Sequence, residues 1–369
     1  MIASYLFYLG TVLFASIFAN LAQRYSYYNK EMKKIPHPFF WFLSMGILIF
    51  IMAFREVGVG VDDLNYLRVY NRSISSSNIL DYYRKNVIEP GFYFLCRFVN
   101  YVFGDFQWVI ILTSIITIFC FYKAIEYEIE NISLGLAVFI FSTTQYFYYF
   151  GIVRLGIAAS LIGFSYRYIL ENKKGKYILM VLLATLFHYS APIALVLLFI
   201  NHFKEKFYKN KKTIILKITL IILISFCTIK WCIYPFITAS RYQGYINSSG
   251  IMSATMLNEI PLLILFLAYY NKSKVINKKY PFYFFLFFVK LVIEMFSPIV
   301  GTARFFWYFS LSLCFLLPST VKMNKNWVER FVLLLFTVLY CLIYSYYSYF
   351  GNSYRGLFML PYRNVFFRL

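Results

Sequence analysis

"PFFWFLSMGILIFIMAFREVGVGVDDLNY", Pro38 to Tyr66, joins two incompatible chemistries in one stretch. Residues 38 to 54 are uncharged and apolar. The residues that follow crowd an Arg, a Glu, two Gly and two adjacent Asp before Tyr66. A bilayer core of about 30 Å takes about 20 mostly apolar residues per helical crossing, so the first part reads as a membrane helix and the second as what emerges from it. Similar apolar runs recur near 4 to 22, 106 to 122, 132 to 150, 153 to 170, 176 to 200, 213 to 232, 256 to 270, 281 to 300, 303 to 321 and 328 to 350. The whole chain is 61% hydrophobic and 23% aromatic with a mean hydropathy of +0.65, well outside the range of soluble domains. The expected fold is all-α: a polytopic transmembrane bundle of about ten to twelve spans with re-entrant or interfacial segments. Residues 1–369 form a single integral membrane domain in this reading. The apolar stretch 89 to 103 is short and carries Arg97, which fits a segment lying in the interface.

The net charge of +21 does not indicate nucleic acid, because the basic residues fall in short blocks between apolar runs with no basic groove around them. "QRYSYYNKEMKK" (23–34), "ENKKGK" (171–176), "KEKFYKNKK" (204–212), "NKSKVINKK" (271–279) and "KMNKNWVER" (322–330) follow the positive-inside pattern instead. No positive region precedes the first apolar run, which fits a retained helix with its N-terminus outside. With these blocks inside, external loops are expected over 55–89 and 235–255, and 123 to 131 lies inside. One crossing of 177 to 200 would put a basic block on the wrong side; a re-entrant segment turning at "FHYSAP" (187–192) removes the conflict, with His188 at the turn, whereas in the rival topology both 89 to 103 and 177 to 200 cross, "ENKKGK" breaks the rule and Arg154 lies inside. Of 22 Lys, only Lys85, Lys230 and Lys290 then fall outside the cytoplasm, whereas of 14 Arg only Arg24, Arg167 and Arg330 fall within it. Arg grips phosphate or carboxylate bidentately and keeps its proton, so Arg held outside against the charge rule points to an anionic ligand there.

The outer-side candidates are Arg55, Asp62, Asp63, Tyr66, Glu89, Arg154, His188, Ser190, Arg241, Glu259 and Arg304. Ionisable groups at membrane depth are costly and are functional hypotheses by default. Bland readings compete: Arg55 as a snorkelling residue, Asp62 and Asp63 as a solvated turn or cap, His188 as a satisfied core residue. Lys290 and Glu294, spaced i,i+4 in one apolar span, read as a structural ion pair. The six Cys lie in apolar segments without a Cys-x-x-Cys pair and read as small core residues. No nucleophile elbow, zinc helix, phosphate loop or dinucleotide fingerprint is present. The Asp62–Asp63 pair superficially resembles a metal-chelating motif of sugar-nucleotide transferases, but its expected outer side argues against this, since nucleotide sugars are cytoplasmic. No metal or cofactor is expected.

In order, "AFREVGVGVDDLNY", "EPGFYFL" and "VRLGIAASLIGFSYRYILENKKGKYILMVLLATLFHYSAPIAL" resemble the EpsG-like group of bacterial O-antigen and exopolysaccharide polymerases, the Wzy type. The likeness covers roughly Arg55 to Pro192 well and the remainder only by hydropathy and isolated Arg. The Arg-x10-Gly spacing found in external loops of some such polymerases is absent. The resemblance implies a multi-pass inner-membrane glycosyltransferase that joins undecaprenyl-pyrophosphate-linked oligosaccharides on the periplasmic side, with a chain-length regulator as an expected partner. Arg154, Arg241 and Arg304 would bind pyrophosphate, Arg55 with Asp62 and Asp63 would shape the acceptor site, Tyr66 would face a sugar or its lipid phosphate, and His188 would be the base, with Asp62, Asp63 or Glu89 as alternatives. A flippase for lipid-linked oligosaccharide and a membrane O-acyltransferase are the competing readings.

Overall fold

The computed structural model describes residues 2–75, 88–198, 254–295, 297, 304–350 and 359–367, and these are almost entirely helical. Helix α1 (Ile2–Arg24) leads through a short antiparallel hairpin, Tyr27–Tyr28 with Lys34–Ile35, into α2 (Pro38–Ala53). Pro38 falls in the first turn of α2, where its missing N–H leaves nothing unpaired. The two helices pack together through small residues, Ala15, Ala19 and Ala22 of α1 being buried. Close approach lets Ser44 Oγ donate to the Ala15 carbonyl at 2.6 Å, with Tyr122 OH 2.8 Å from the same oxygen.

Next come α3 (Asp63–Ser75), α4 (Pro90–Phe103), α5 (Gln107–Glu126) and α6 (Leu134–Phe141). A wide π turn (Ser142–Tyr146) and a single turn (Tyr148–Gly151) connect α6 to α7 (Val153–Leu170), which is followed by α8 (Lys174–Thr185). The later part contains α9 (Ile260–Ile276), α10 (Tyr280–Met295), a tight turn at Phe305–Tyr308, α11 (Leu313–Lys322) and α12 (Trp327–Ser345). Helix α5 packs along α2 and α7, α6 lies against α1 and α11, and α8 against α7. Cys96, Cys120, Cys314 and Cys341 are buried and unpaired; Cys227 and Cys232 lie outside the described residues.

Three of the described helices are long and apolar enough to cross a membrane: Ile2–Arg24, Gln107–Glu126 and Trp327–Phe350. Pro38–Ala53, Leu134–Tyr146 and Ser310–Lys322 are apolar but shorter. This is a membrane protein; the expected count of about ten to twelve spans goes beyond what these helices establish.

The bundle has two chemically distinct ends. At one, Gln23 Nε2 donates to the carbonyls of Ile129 and Ile132, Lys322 Nζ to that of Glu130 at 2.6 Å, and Lys279 pairs with Glu128 at 2.9 Å. Glu171 faces Tyr127 there, so "ENKKGK" shares that end. At the other end Gln107 Nε2 donates to the Ala53 and Arg55 carbonyls, and the C-terminal stretch binds back, Tyr362 OH donating to the Ile51 carbonyl and Tyr8 OH to that of Met359.

Two elements depart from a simple end-to-end crossing. Helix α4 is capped by Glu89, beside Arg154, and its left-handed cap Gly104 returns the chain to Gln107, beside Arg55. It therefore lies across the second end, with Phe92, Tyr93, Cys96 and Val99 inward and Phe94, Phe98 and Tyr101 exposed. Helix α8 rises from the basic end, and at 186–190 the chain reverses into a tight helical turn, Ala191–Leu195. Tyr177 OH donates to the Ala194 carbonyl at 2.7 Å, which is possible only if the returning strand runs back down beside α8. His188 sits at the apex of that hairpin.

Candidate functional site

Arg55 ends the apolar run of α2 and has no exposed surface. A buried guanidinium needs its donors and its charge met. Nη2 and Nε donate to the two carboxylate oxygens of Asp63 at 2.9 and 3.3 Å, Nη1 to the Met52 carbonyl at 2.5 Å and Nη2 also to the Phe150 carbonyl at 2.8 Å. Asp63, likewise without exposed surface, accepts in addition from the backbone N–H of Gly60 at 2.8 Å and of Gly58 at 3.3 Å. Gly60 is required by contact: a Cβ there would stand 2.2 Å from the Phe150 carbonyl oxygen. "REVGVGVDD" is thus a loop folded around one ion pair, which joins α2, the start of α3 and the turn before α7.

Beside this pair opens a cleft of about 230 Å³ lined by Asp62, Tyr66, Ile152, Arg154, Leu155, His188 and Arg304. Asp62 and Asp63 are neighbours in sequence, yet consecutive residues at a helix start point about 100° apart, so one faces the bundle and the other the cleft. Tyr66, a turn further along α3, is buried on the inward face with Tyr70 and Ser73. Arg154 lies in the first turn of α7, whose N-terminal amides carry the positive end of the helix dipole, so Ile152, Arg154 and Leu155 turn an anion-favouring helix terminus toward the cleft.

The Arg154 guanidinium sits between aromatic faces, 5.6 Å from the Tyr66 ring centre and 5.9 Å from that of Phe92. Its Nη1 donates to Glu89 in a close ion pair, and its Nε has no partner among the described residues. Glu89 precedes α4, and its other oxygen accepts from the Tyr189 amide at 3.4 Å. Gly91 allows this meeting: its N–H donates to the Leu186 carbonyl at 2.7 Å, and a Cβ would stand 2.7 Å from that oxygen. The "EPGF" and "FHYSA" motifs are therefore one structural unit.

His188 is 9% exposed. Its Nδ1 lies 2.7 Å from Ser190 Oγ and 3.3 Å from Tyr308 OH, which are themselves 2.8 Å apart. Tyr308 belongs to the turn that starts after Arg304, and Tyr166 OH of α7 donates to its carbonyl. Arg304 is exposed at the cleft mouth.

The fold thus collects Asp62, Tyr66, Arg154, His188 and Arg304 around one cleft and sets Glu89 directly behind it. It sets Arg55 and Asp63 in the buried pair alongside. Arg241 lies outside the described residues, as does most of 235–255. Tyr308 gave no signal in the sequence, because "FFWYF" reads as membrane aromatics. Lys290 does pair with Glu294, at 3.1 Å, but it also binds Glu259, 31 positions away, so the expected pair is a triad. Among the described residues no three His, Cys, Asp or Glu side chains gather as a metal-binding group.

A model of the EpsG family matches residues 39–364, most of the chain. No curated protein and no solved structure matches.

Proposed function

Because the chain belongs to the EpsG family, a group associated with polysaccharide polymerisation, we propose that it is a multi-pass inner-membrane glycosyltransferase joining undecaprenyl-pyrophosphate-linked repeat units outside the cytoplasm. The basic end of the bundle faces the cytoplasm in this reading, by the positive-inside rule, and the cleft faces the periplasm. The observation that carries it is the meeting of Arg154 and Arg304, from distant parts of the chain, with Asp62 and His188 at one cleft beside a helix N-terminus. The cleft is open to solvent, so a diphosphate and the reacting sugar atoms would meet these groups at its surface, with glycan and lipid extending beyond it.

A hydroxyl oxygen of the incoming unit attacks the anomeric carbon of the growing chain as the bond from that carbon to the pyrophosphate oxygen breaks. The leaving group keeps the electron pair, and its developing charge is met by Arg154, Arg304 and the α7 terminus. Fixed donors aimed at such charge are commonly worth about 3–4 kcal/mol each. A carboxylate or imidazole at the cleft takes the hydroxyl proton.

The test is reconstitution of the purified full-length chain in liposomes with lipid-linked repeat units on both faces. A ladder of lengthened chains with release of undecaprenyl pyrophosphate is expected. Movement of unmodified units across the bilayer without lengthening would replace this reading with a flippase, and acyl transfer without lengthening with an acyltransferase.

A further inference from the structure

The apex of the α8 hairpin fixes more than where His188 stands. The Ser190 backbone N–H points at Nδ1 from 3.4 Å, and an amide N–H can only donate. The Ser190 Oγ to Nδ1 separation of 2.7 Å fits a hydrogen bond in either direction, so the amide, which can only donate, decides which way it runs. Tyr308 OH completes the arrangement, 2.8 Å from Ser190 Oγ. The consistent assignment is a relay in which Tyr308 O–H donates to Ser190 Oγ and Ser190 O–H donates to Nδ1. The position of Tyr308 is over-determined, since it is 1% exposed and its carbonyl accepts from Tyr166 OH.

We infer that His188 meets the substrate as a hydrogen-bond donor through Nε2–H, that Tyr308 and Ser190 are the positioning residues that hold it in this tautomer, and that Asp62 is the base. A neutral imidazole carries one proton, so an Nδ1 that accepts leaves it on Nε2. Beside Arg154 and Arg304, His188 then adds a third donor for the leaving group's phosphate oxygens, while the Asp62 carboxylate in the same cleft is the acceptor. A base at His188 would need a lone pair on Nε2 and hence a proton on Nδ1, facing an amide N–H. Asp62 is the one carboxylate among the described cleft-lining residues, and Glu89 behind it is already bound by Arg154. This inference rests on the polymerase reading for the identity of the substrate, though not for the tautomer.

The chain has three histidines, His37, His188 and His202, so ¹⁵N-histidine labelling of the full-length protein in nanodiscs gives a readable spectrum. Long-range proton–nitrogen correlations distinguish the tautomers, and His188→Gln identifies the signal. The Nε2–H form is expected for the wild type, with loss of the single tautomer in Tyr308→Phe and Ser190→Ala. An Nδ1–H form, or a wild-type mixture unchanged by either variant, overturns the inference. Polymerisation supplies the second readout, because a Gln amide donates from nearly the place of Nε2 but cannot accept a proton. His188→Gln is expected to lose about tenfold, and His188→Ala on the order of 10²–10³, as for loss of an oxyanion donor. A Gln variant as inactive as the Ala variant, both folded, refutes the donor role. The tautomer is read without substrate, so failure of the wild type to polymerise sinks the parent reading, whereas an Nδ1–H signal sinks only this one.

Discussion

Replacing Asp63 by Asn tests whether the loop after α2 is built around an ion pair or presents a second catalytic acid. Both side chains of the Arg55–Asp63 pair have no exposed surface, so bulk water cannot take over the charge that is left. Asp63 receives Arg55 through two donors and the amides of Gly58 and Gly60 through two more, and one amide oxygen cannot satisfy all four. The amide nitrogen of Asn would moreover turn a donor toward the guanidinium. Breaking a buried pair by removing one partner costs about 3–5 kcal/mol. The Met52 and Phe150 carbonyls still hold Arg55, so the lower part of that range, about 3 kcal/mol, is expected.

The measurement is denaturant unfolding in detergent, followed by the fluorescence of the five Trp, for wild type, Asp63→Asn, Arg55→Met and the double variant. The double variant leaves no unpaired charge and should cost about 2 kcal/mol less than the two singles added together, within the coupling range of contacting residues. Activity per folded molecule should stay near wild type in Asp63→Asn. An Asp63→Asn variant within about 1 kcal/mol of wild type, or strictly additive singles, would refute the structural role, since either outcome lies outside the cost of a broken buried pair. A fully folded but inactive Asp63→Asn would assign Asp63 to the chemistry.

Asp62→Asn is expected to behave oppositely: polymer formation falls about 10²–10⁴-fold for loss of a general base. Its stability should stay within about 0.5 kcal/mol, because among the described residues this half-buried carboxylate accepts only a 3.3 Å bond from Asn65. Arg154→Lys, measured on polymer ladders at matched protein levels, should lose on the order of 10²-fold, since a point charge replaces a fork that serves Glu89 and a ligand together. Arg154→Ala should fall at least as far; wild-type chain lengths in both variants would exclude a pyrophosphate role. Gly60→Ala should destabilise by about 1–3 kcal/mol or more in the same unfolding assay, because the obstructing atom is a backbone oxygen.

Much of the site was legible because polar residues in an apolar chain stand out one by one. The apolar run does end just before Arg55, a helix does cover Pro90–Phe103, and the chain does turn at 186–190, where a polar interruption breaks a run with basic blocks at both ends. What sequence could not give was partnership. Asp62 and Asp63 are identical in kind and adjacent, and only the start of α3 at Asp63 decides which turns inward. Lys290 and Glu294 were readable from their i,i+4 spacing, while Glu259 reaches Lys290 through the packing of α10 against the turn that precedes α9, which no local pattern encodes. Tyr308 was hidden for the opposite reason: it is one tyrosine of 36, and only its hydroxyl's neighbours separate it from membrane-facing rings.

The pairing of Arg154 with Glu89 explains how such a cleft persists between substrates. A guanidinium in a mostly buried place, with 23% of its side chain exposed, is expensive unless its charge is met, and Glu89, at 6%, meets it from behind while the front stays open to the cleft. The partner stands at the start of α4, which lies across this end of the bundle, so Arg154 is steadied by an element set apart from the helix that carries it. In the polymerase reading, a diphosphate arriving at the cleft would find the Arg154 guanidinium and a helix terminus already oriented, with exposed Arg304 at the mouth to close on it. Preorganised charge of this kind stabilises a leaving group at little reorganisation cost, which is why the ion pair behind the cleft belongs to its chemistry as much as the residues that line it.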